Sequence, residues 1–397
     1  MNSTVTLTNA PLSGEIRAIP SKSMAHRLLI CAYLANSPTD VVCNGTSKDI
    51  EATRACLSAM DEGNPLPCGE SGSTLRFLLP VVSALGLETE FHMEGRLPQR
   101  PLGELEEQLC AHGVMLTRPQ EDILQVRGRL TPGDFTLPGN VSSQYVSGLL
   151  FALPLLDSPS TLTVQGKLES APYVEMTLWA LRQFGIAVQE ENGVYTIPAC
   201  GYHAPGQVTV EGDWSNAGFW LCAGALGKPV TVTGLDRDSL QGDKAVFDIL
   251  AQFGAKTQQT ADRFTVSPGK LQGITMDASA IPDLVPVLSV VAAAAEGTTH
   301  ITGAGRLRLK ESDRLASVSA MLRALGGEVE EREDGLVIHG GKLLSGGTVD
   351  SWNDHRIAMS AAVATCLCRG SVTVTGANAV EKSYPRFWED FRYLQQT

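Results

Sequence analysis

The chain repeats one pattern six times, and that periodicity limits its fold more than any other feature. Short β-rich runs close on a glycine at Gly45, Gly95, Gly166, Gly234, Gly303 and Gly376. Thr161–Gly166, Val230–Gly234 and Val372–Gly376 alternate Thr with apolar residues before the turn, as a half-buried strand does. After each of the first five runs comes a helical pattern ending at a second glycine, at 63, 113, 185, 254 and 326. From Gly376 the chain continues to Thr397, the length of a sixth such helix. Before each strand lies an apolar segment with a polar start, at 21–35, 71–85, 142–156, 214–226, 282–295 and 353–367. Self-similarity of this length marks copies of one supersecondary unit that buries its apolar face by packing on its neighbours. The strand-end glycines lie 50, 71, 68, 69 and 73 residues apart, so the first copy is shortened.

Helices such as those around Leu149–Leu156 and Val290–Ala295 are apolar nearly all round and must be buried, whereas Val246–Phe253 is amphipathic and fits the outside of a sheet. At 397 residues the chain exceeds one ordinary core, so the six units are expected to form two three-unit α/β domains. The break is placed near Val210–Asp213. One domain is then 21–211 and the other 1–20 plus 212–397, because the strand-like opening Val5–Ala18 has no partner of its own. The active site is expected in the cleft between them.

Charge restricts the partners. With 31 Lys and Arg against 43 Asp and Glu, the net charge is −12, and the surface as a whole repels nucleic acid and anionic membranes. No stretch approaches the roughly 20 apolar residues of a membrane span. The start, Met1 to Thr4, lacks the basic and apolar parts of a signal peptide. Nine scattered Cys form no C-x-x-C, and Cys366 and Cys368 have the wrong spacing for a zinc knuckle. A cytoplasmic, reduced, metal-free protein is expected.

The polar starts of the buried segments carry the chemistry. A first helical turn presents unpaired N–H groups and partial positive charge, so it favours anions. Here cations and hydroxyls join it: Lys22, Ser23 and Arg27; Ser71, Gly72, Ser73, Thr74 and Arg76; Ser142, Ser143 and Gln144; and Asp354, His355 and Arg356. Hydroxyl and Asp residues at such places often serve only as helix caps. Lys and Arg in a first turn oppose the helix dipole, however, and three helices doing so points to a polyanion site. Asp283 opens an all-apolar helix, either as a cap or as a partly desolvated acid–base group. The run Arg306, Arg308, Lys310, Glu311, Asp313, Arg314 precedes an amphipathic helix, with Ser312 or Asp313 as its cap on the simpler reading. Arg96, Arg100 and Lys382 read as exposed cations on their own.

These segments, in this order and from end to end of the chain, resemble the 5-enolpyruvylshikimate-3-phosphate synthase family. The resemblance rests on Pro20–Arg27, Gly72–Arg76, Arg96–Pro101, Val141–Gln144, Ser170–Tyr173, Glu211–Asp213, Asp283, Lys310–Arg314, Asp354–Arg356 and Lys382. It implies a two-domain inverse α/β barrel built from six β/α units. It also implies transfer of the enolpyruvyl group of phosphoenolpyruvate to the 5-hydroxyl of shikimate 3-phosphate through a tetrahedral intermediate, releasing phosphate, without cofactor or metal, in a monomer. By the same resemblance, Lys22, Ser23, Arg27, Ser142, Ser143, Gln144, Ser170, Tyr173, Asp283 and Lys310 bind shikimate 3-phosphate. Lys22, Gly72, Arg100, Gln144, Arg314, Arg356 and Lys382 bind phosphoenolpyruvate, with Gly72 allowing close backbone approach. Asp283 is assigned as base for the hydroxyl, Glu311 as acid at C3, and Lys22 to stabilising the departing phosphate or sharing the proton work. Two departures stand out. Arg306 occupies a position where the family often has a polar amide, and the glycine-rich segment reads Cys68 to Thr74 as CGESGST.

Two other readings compete with this one. UDP-N-acetylglucosamine enolpyruvyl transferases show a Lys-Asn pair in the first unit and usually a reactive loop Cys; here Ser21, Lys22 and Ser23 stand in the first unit, and Arg96–Leu102 holds no Cys. A non-catalytic anion-binding repeat protein would need no carboxylates beside its cations, yet Asp283, Glu311 and Asp354 fall at helix starts.

Overall fold

The computed structural model describes Ser3–Thr397; Met1 and Asn2, at the start of the expected 1–20 segment, lie outside the described residues. The chain divides into two compact units. One is Lys22–Val210; the other joins Glu211–Thr397 to the chain start through Ser21.

Within Lys22–Val210 the repeat takes a definite form. Strand Leu66–Gly69 leads into the buried helix Gly72–Leu85 and then into the parallel strand Thr89–Met93. The covering helix Gly103–Ala111 follows, and the hairpin of Val114–Gln120 and Ile123–Gly128 completes a four-stranded mixed sheet. Asp134–Ile197 repeats this order, with helices Ser143–Ala152 and Ala171–Gln183. Glycine C-caps such as Gly63 and Gly86, both left-handed, end helices where the sequence places a glycine. Two of the buried helices touch closely. Pro80 removes the N–H that would satisfy the Arg76 carbonyl, and Gly148 lets the helix Ser143–Ala152 press against that carbonyl; a methyl at Gly148 would collide with it.

The other unit carries a full copy in Thr275–His339, with the buried helix Val285–Ala294 and the covering helix Arg314–Ala324. Alternation sets the facing of its strands: in Val230–Thr233 and in Val372–Thr375 the Val side chains are buried and the Thr side chains half-buried. The opening segment supplies two strands to this unit. Thr4–Leu7 pairs antiparallel with Val372–Thr375, where other copies have a hairpin, and Gly14–Arg17 runs parallel to Val230–Thr233. In the first unit, Asp40–Val42 takes Gln207–Thr209 as its parallel partner. Within the other unit the end of the opening segment is hydrogen-bonded to the segment after Val210, from Ser21 N to the Glu211 carbonyl and from Asp213 N to the Ile19 carbonyl, both at 2.8 Å. Near the C-terminus, Trp220 stacks on Phe387 at 4.9 Å and donates to Tyr384, which fastens the last helix, Phe387–Gln396, to the core. Among the described residues no helix is long and apolar enough to cross a membrane.

Candidate active site

In the Lys22–Val210 unit, one cluster forms at the start of the helix Lys22–Leu34. Arg27 is buried, and its guanidinium donates to the Ser23 carbonyl at 2.6 Å, the Tyr173 carbonyl at 2.7 Å and Thr177 Oγ1 at 2.9 Å. Burial brings it down to about 10, with Tyr173 and Cys31 opposing. Ser23, Arg27 and Tyr173 therefore meet, although this guanidinium is committed to protein acceptors. Ser170, at the start of the helix bearing Tyr173, is buried and holds a left-handed φ of 54°, a strained setting for a residue with a side chain. Lys22 pairs with Asp49 at 2.8 Å.

A second cluster gathers at the starts of Gly72–Leu85 and Ser143–Ala152. Gln144 accepts from Arg76 at 3.2 Å and donates to Ser73 at 2.9 Å. Arg76 also donates to the Pro101 carbonyl, and Tyr145 does so from the other side at 2.6 Å. A methyl on Gly72 would sit 2.5 Å from Arg76 Nη1 and 2.7 Å from Arg100 Nη1, so two guanidinium groups border the bare glycine backbone. Gly72, Arg100 and Gln144 thus come together. Ser142 caps its own helix by accepting from Gln144 N, and Ser143 is buried beside it. Ser71 caps the other helix and belongs to a buried chain of short bonds: His26 Nδ1 to Thr53, Thr53 to Thr74, and Thr74 to Ser71, each 2.7 Å. His26 is held well below its ordinary value by burial and by Lys22 and Arg27, so it is a neutral strut.

In the other unit, the helix starts converge on carboxylates. Arg314 is 1% exposed and donates to Asp283 at 2.7 Å, Glu311 at 2.7 Å and Asp354 at 2.8 Å. Arg356 donates to Asp283 at 3.3 Å and to the Ser215 carbonyl at 3.1 Å. Asp354 and Asp313 cap their helices, as their positions suggest. Asp283 does not: it lies in the turn Pro282–Leu284, and neither that turn nor the helix after it has a side-chain cap. Its carboxylate instead joins two guanidinium groups. Burial pushes Asp283 up, but Arg356, Arg314 and Lys310 outweigh that and hold it far below the usual carboxylate range. Burial brings Lys310 down to about 8, with Arg314 and Arg306 adding to the effect and Asp283 and Glu311 opposing it. Arg306 donates to the Ser279 carbonyl at 3.0 Å. Lys382 is buried and donates at 2.6 Å to the Asn353 carbonyl, at a turn where Trp352 and Asn353 are both left-handed.

Two groups in this machinery fall outside the sequence-based assignment. Arg76 stood in a segment already singled out, and its spacing of four from Gly72 was the available signal. Asp49 carried none, because it becomes informative only through Lys22, distant in sequence.

Mixed sheets arranged in repeated β/α units, with helix starts gathering cations and carboxylates, give the fold of the enolpyruvyl transferases. An enolpyruvyl transferase from Streptomyces tendae, NikO, superimposes with a TM-score of 0.76 at 21% identity, over 99% of this chain and 98% of that one. The EPSP synthase of Acinetobacter baumannii superimposes with a TM-score of 0.82 at 25% identity, over 99% and 98%. The family model described as EPSP synthase (3-phosphoshikimate 1-carboxyvinyltransferase) matches residues 7–64 and 60–391. The 3-phosphoshikimate 1-carboxyvinyltransferase of Clostridium kluyveri is 40% identical over 98% of this chain and 97% of its own, and that of Clostridium acetobutylicum is 41% identical over 96% and 95%. The chain belongs to the EPSP synthase family, a family of transferases.

Proposed function

We propose that this enzyme transfers the carboxyvinyl group of phosphoenolpyruvate to the 5-hydroxyl of shikimate 3-phosphate and releases phosphate, a step towards chorismate. The observation that carries this reading is the junction of Arg314, Asp283 and Arg356. A carboxylate held by two guanidinium groups is a weak base, and its pairing supplies the remedy. The carboxylate and phosphate of phosphoenolpyruvate compete for Arg314 and Arg356, and each contact they take over returns basicity to Asp283 beside the acceptor hydroxyl.

The proton account follows. The 5-oxygen bonds to C2 of phosphoenolpyruvate as Asp283 takes the hydroxyl proton, and the C2–C3 π pair collects a proton from Glu311 at C3. In the tetrahedral intermediate the C2–O bond to phosphate breaks, the proton held by Asp283 passes to the departing phosphate, and Lys22 balances its remaining charge. Glu311, now a carboxylate, removes a C3 proton and restores the double bond. Arg27, Ser23, Ser142, Ser143, Gln144, Ser170, Tyr173 and Lys310 serve the shikimate phosphate side. Gly72, Arg100, Gln144, Arg314, Arg356, Lys382 and Lys22 serve the donor. The enzyme is read as a cytoplasmic monomer of two domains, 21–211 and 1–20 with 212–397; nine free thiols suit a reducing compartment.

Phosphate release that requires both substrates, with UDP-N-acetylglucosamine unable to replace shikimate 3-phosphate, tests the reaction. Asp283→Asn is expected to abolish turnover, and Glu311→Gln to abolish solvent-deuterium entry at C3. Near-normal turnover in a folded Asp283→Asn protein would overturn the assignment of the base.

A further inference from the structure

Asp243 plays no part in the chemistry above, yet it is among the least comfortable groups in its unit. It lies in the turn Gly242–Ala245 and is 1% exposed. Its Oδ2 accepts from Ser215 Oγ, its Oδ1 has no hydrogen-bond partner, and among the described residues no cation lies within ion-pair distance. A buried carboxylate with one hydroxyl donor is costly when ionised. The same serine joins it to the donor site, because the Ser215 carbonyl accepts from Arg356 Nη1. Arg356 is 2% exposed, and its Nε is likewise buried without a partner. An unsatisfied acceptor and an unsatisfied donor therefore stand on either side of Ser215.

We infer that Asp243 is a positioning residue for Arg356: with its proton on, it leaves Arg356 to the donor anion, and with its proton off, it competes for that guanidinium from the opposite side. This rests on the reading of Arg356 as a ligand of phosphoenolpyruvate. The groups facing Asp243 are Asp283 from the turn Pro282–Leu284, Arg356 from the helix His355–Ala364, and Ser215 and Asp213 at the start of the helix Trp214–Leu226. Burial and then Asp283 push its carboxyl up, against the pull of Arg356 and Ser215, to about 7. It is thus protonated below neutrality and ionised above it, so donor affinity is expected to fall as pH rises.

The test is the pH profile of KM for phosphoenolpyruvate from pH 6 to 9, with kcat followed separately, in the full-length enzyme and in Asp243→Asn. The unaltered enzyme should lose donor affinity several-fold across neutrality, and kcat should change far less. Asn cannot ionise, so the variant should lack that step. Lys310 titrates in both proteins, and the readout is therefore the difference between the two profiles. Ser215→Ala removes the donor that favours the ionised form and should move the step to higher pH; it carries the test if Asp243→Asn folds poorly. Superimposable KM profiles for the unaltered enzyme and either variant would overturn the inference. Arg356→Lys separates the premise: if it binds phosphoenolpyruvate as tightly as the unaltered enzyme, the assignment of Arg356 to the donor is what fails.

Discussion

Arg314→Met offers the sharpest test of how the carboxylate-rich cluster is held together. The substitution keeps most of the volume and removes one guanidinium that serves three carboxylates. Asp354 is fully buried and loses a partner that water cannot replace. Asp283 and Glu311 keep 21% and 19% side-chain exposure and recover part of their hydration. Breaking one buried pair from one side costs about 3–5 kcal/mol, and the two half-exposed partners add little beyond that, so about 4 kcal/mol is expected. In a unit of roughly 200 residues this lowers Tm by about 10 °C.

The loss depends on pH. Asp283 sits far below its unfolded value, so its stabilisation is present above about pH 4 and disappears as pH falls towards its folded value. Without Arg314 that contribution shrinks, and the gap between variant and parent has its full width above about pH 5 and narrows only as pH falls below about 4. Four of the five Trp, at 214, 220, 352 and 388, lie in this unit, so tryptophan fluorescence on heating reports its melting. A Tm loss under 2 °C, or one of equal size at pH 3 and pH 8, would refute the argument.

Other outcomes follow from the companion unit. Gly72→Ala places a methyl against Arg76 and Arg100, so KM for phosphoenolpyruvate should rise more than about tenfold with a smaller change in kcat, which steady-state kinetics would measure. His26 has a folded value below its unfolded one, so its contribution is present above about pH 6.5 and is lost as pH falls; His26→Gln should flatten the decline in thermal stability between pH 7 and pH 5, followed by calorimetry.

Much of this was legible because the signals are local. A glycine closing a Thr/Val strand is required by the turn itself, and a helix start such as that of Ser142 or Asp354 declares itself within three residues. Asp283 marks the limit of such reading. An Asp before an apolar helix admits both a cap and a charged junction, and only the approach of Arg314 and Arg356, 31 and 73 positions away, separates the two. Asp243 was silent for the same reason. Its environment is made by Ser215 and Asp283, and nothing in its own segment records the lack of a cation. The left-handed Trp352 gave no notice either, since of the pair only Asn353 is of a residue type that favours such a conformation.

The borrowed strands also bear on synthesis. Lys22–Val210 is continuous, so all its internal partners have left the ribosome long before the chain is complete. The opening segment has the opposite fate. Gly14–Arg17 waits for Val230–Thr233, and Thr4–Leu7 waits for Val372–Thr375, the last strand among the described residues. Closing so long a loop is slow, and in the meantime these two strands expose unpaired edges. Strands made early are thus placed late, and a nascent chain stalled before residue 372 holds one finished unit and one that has no means of closing.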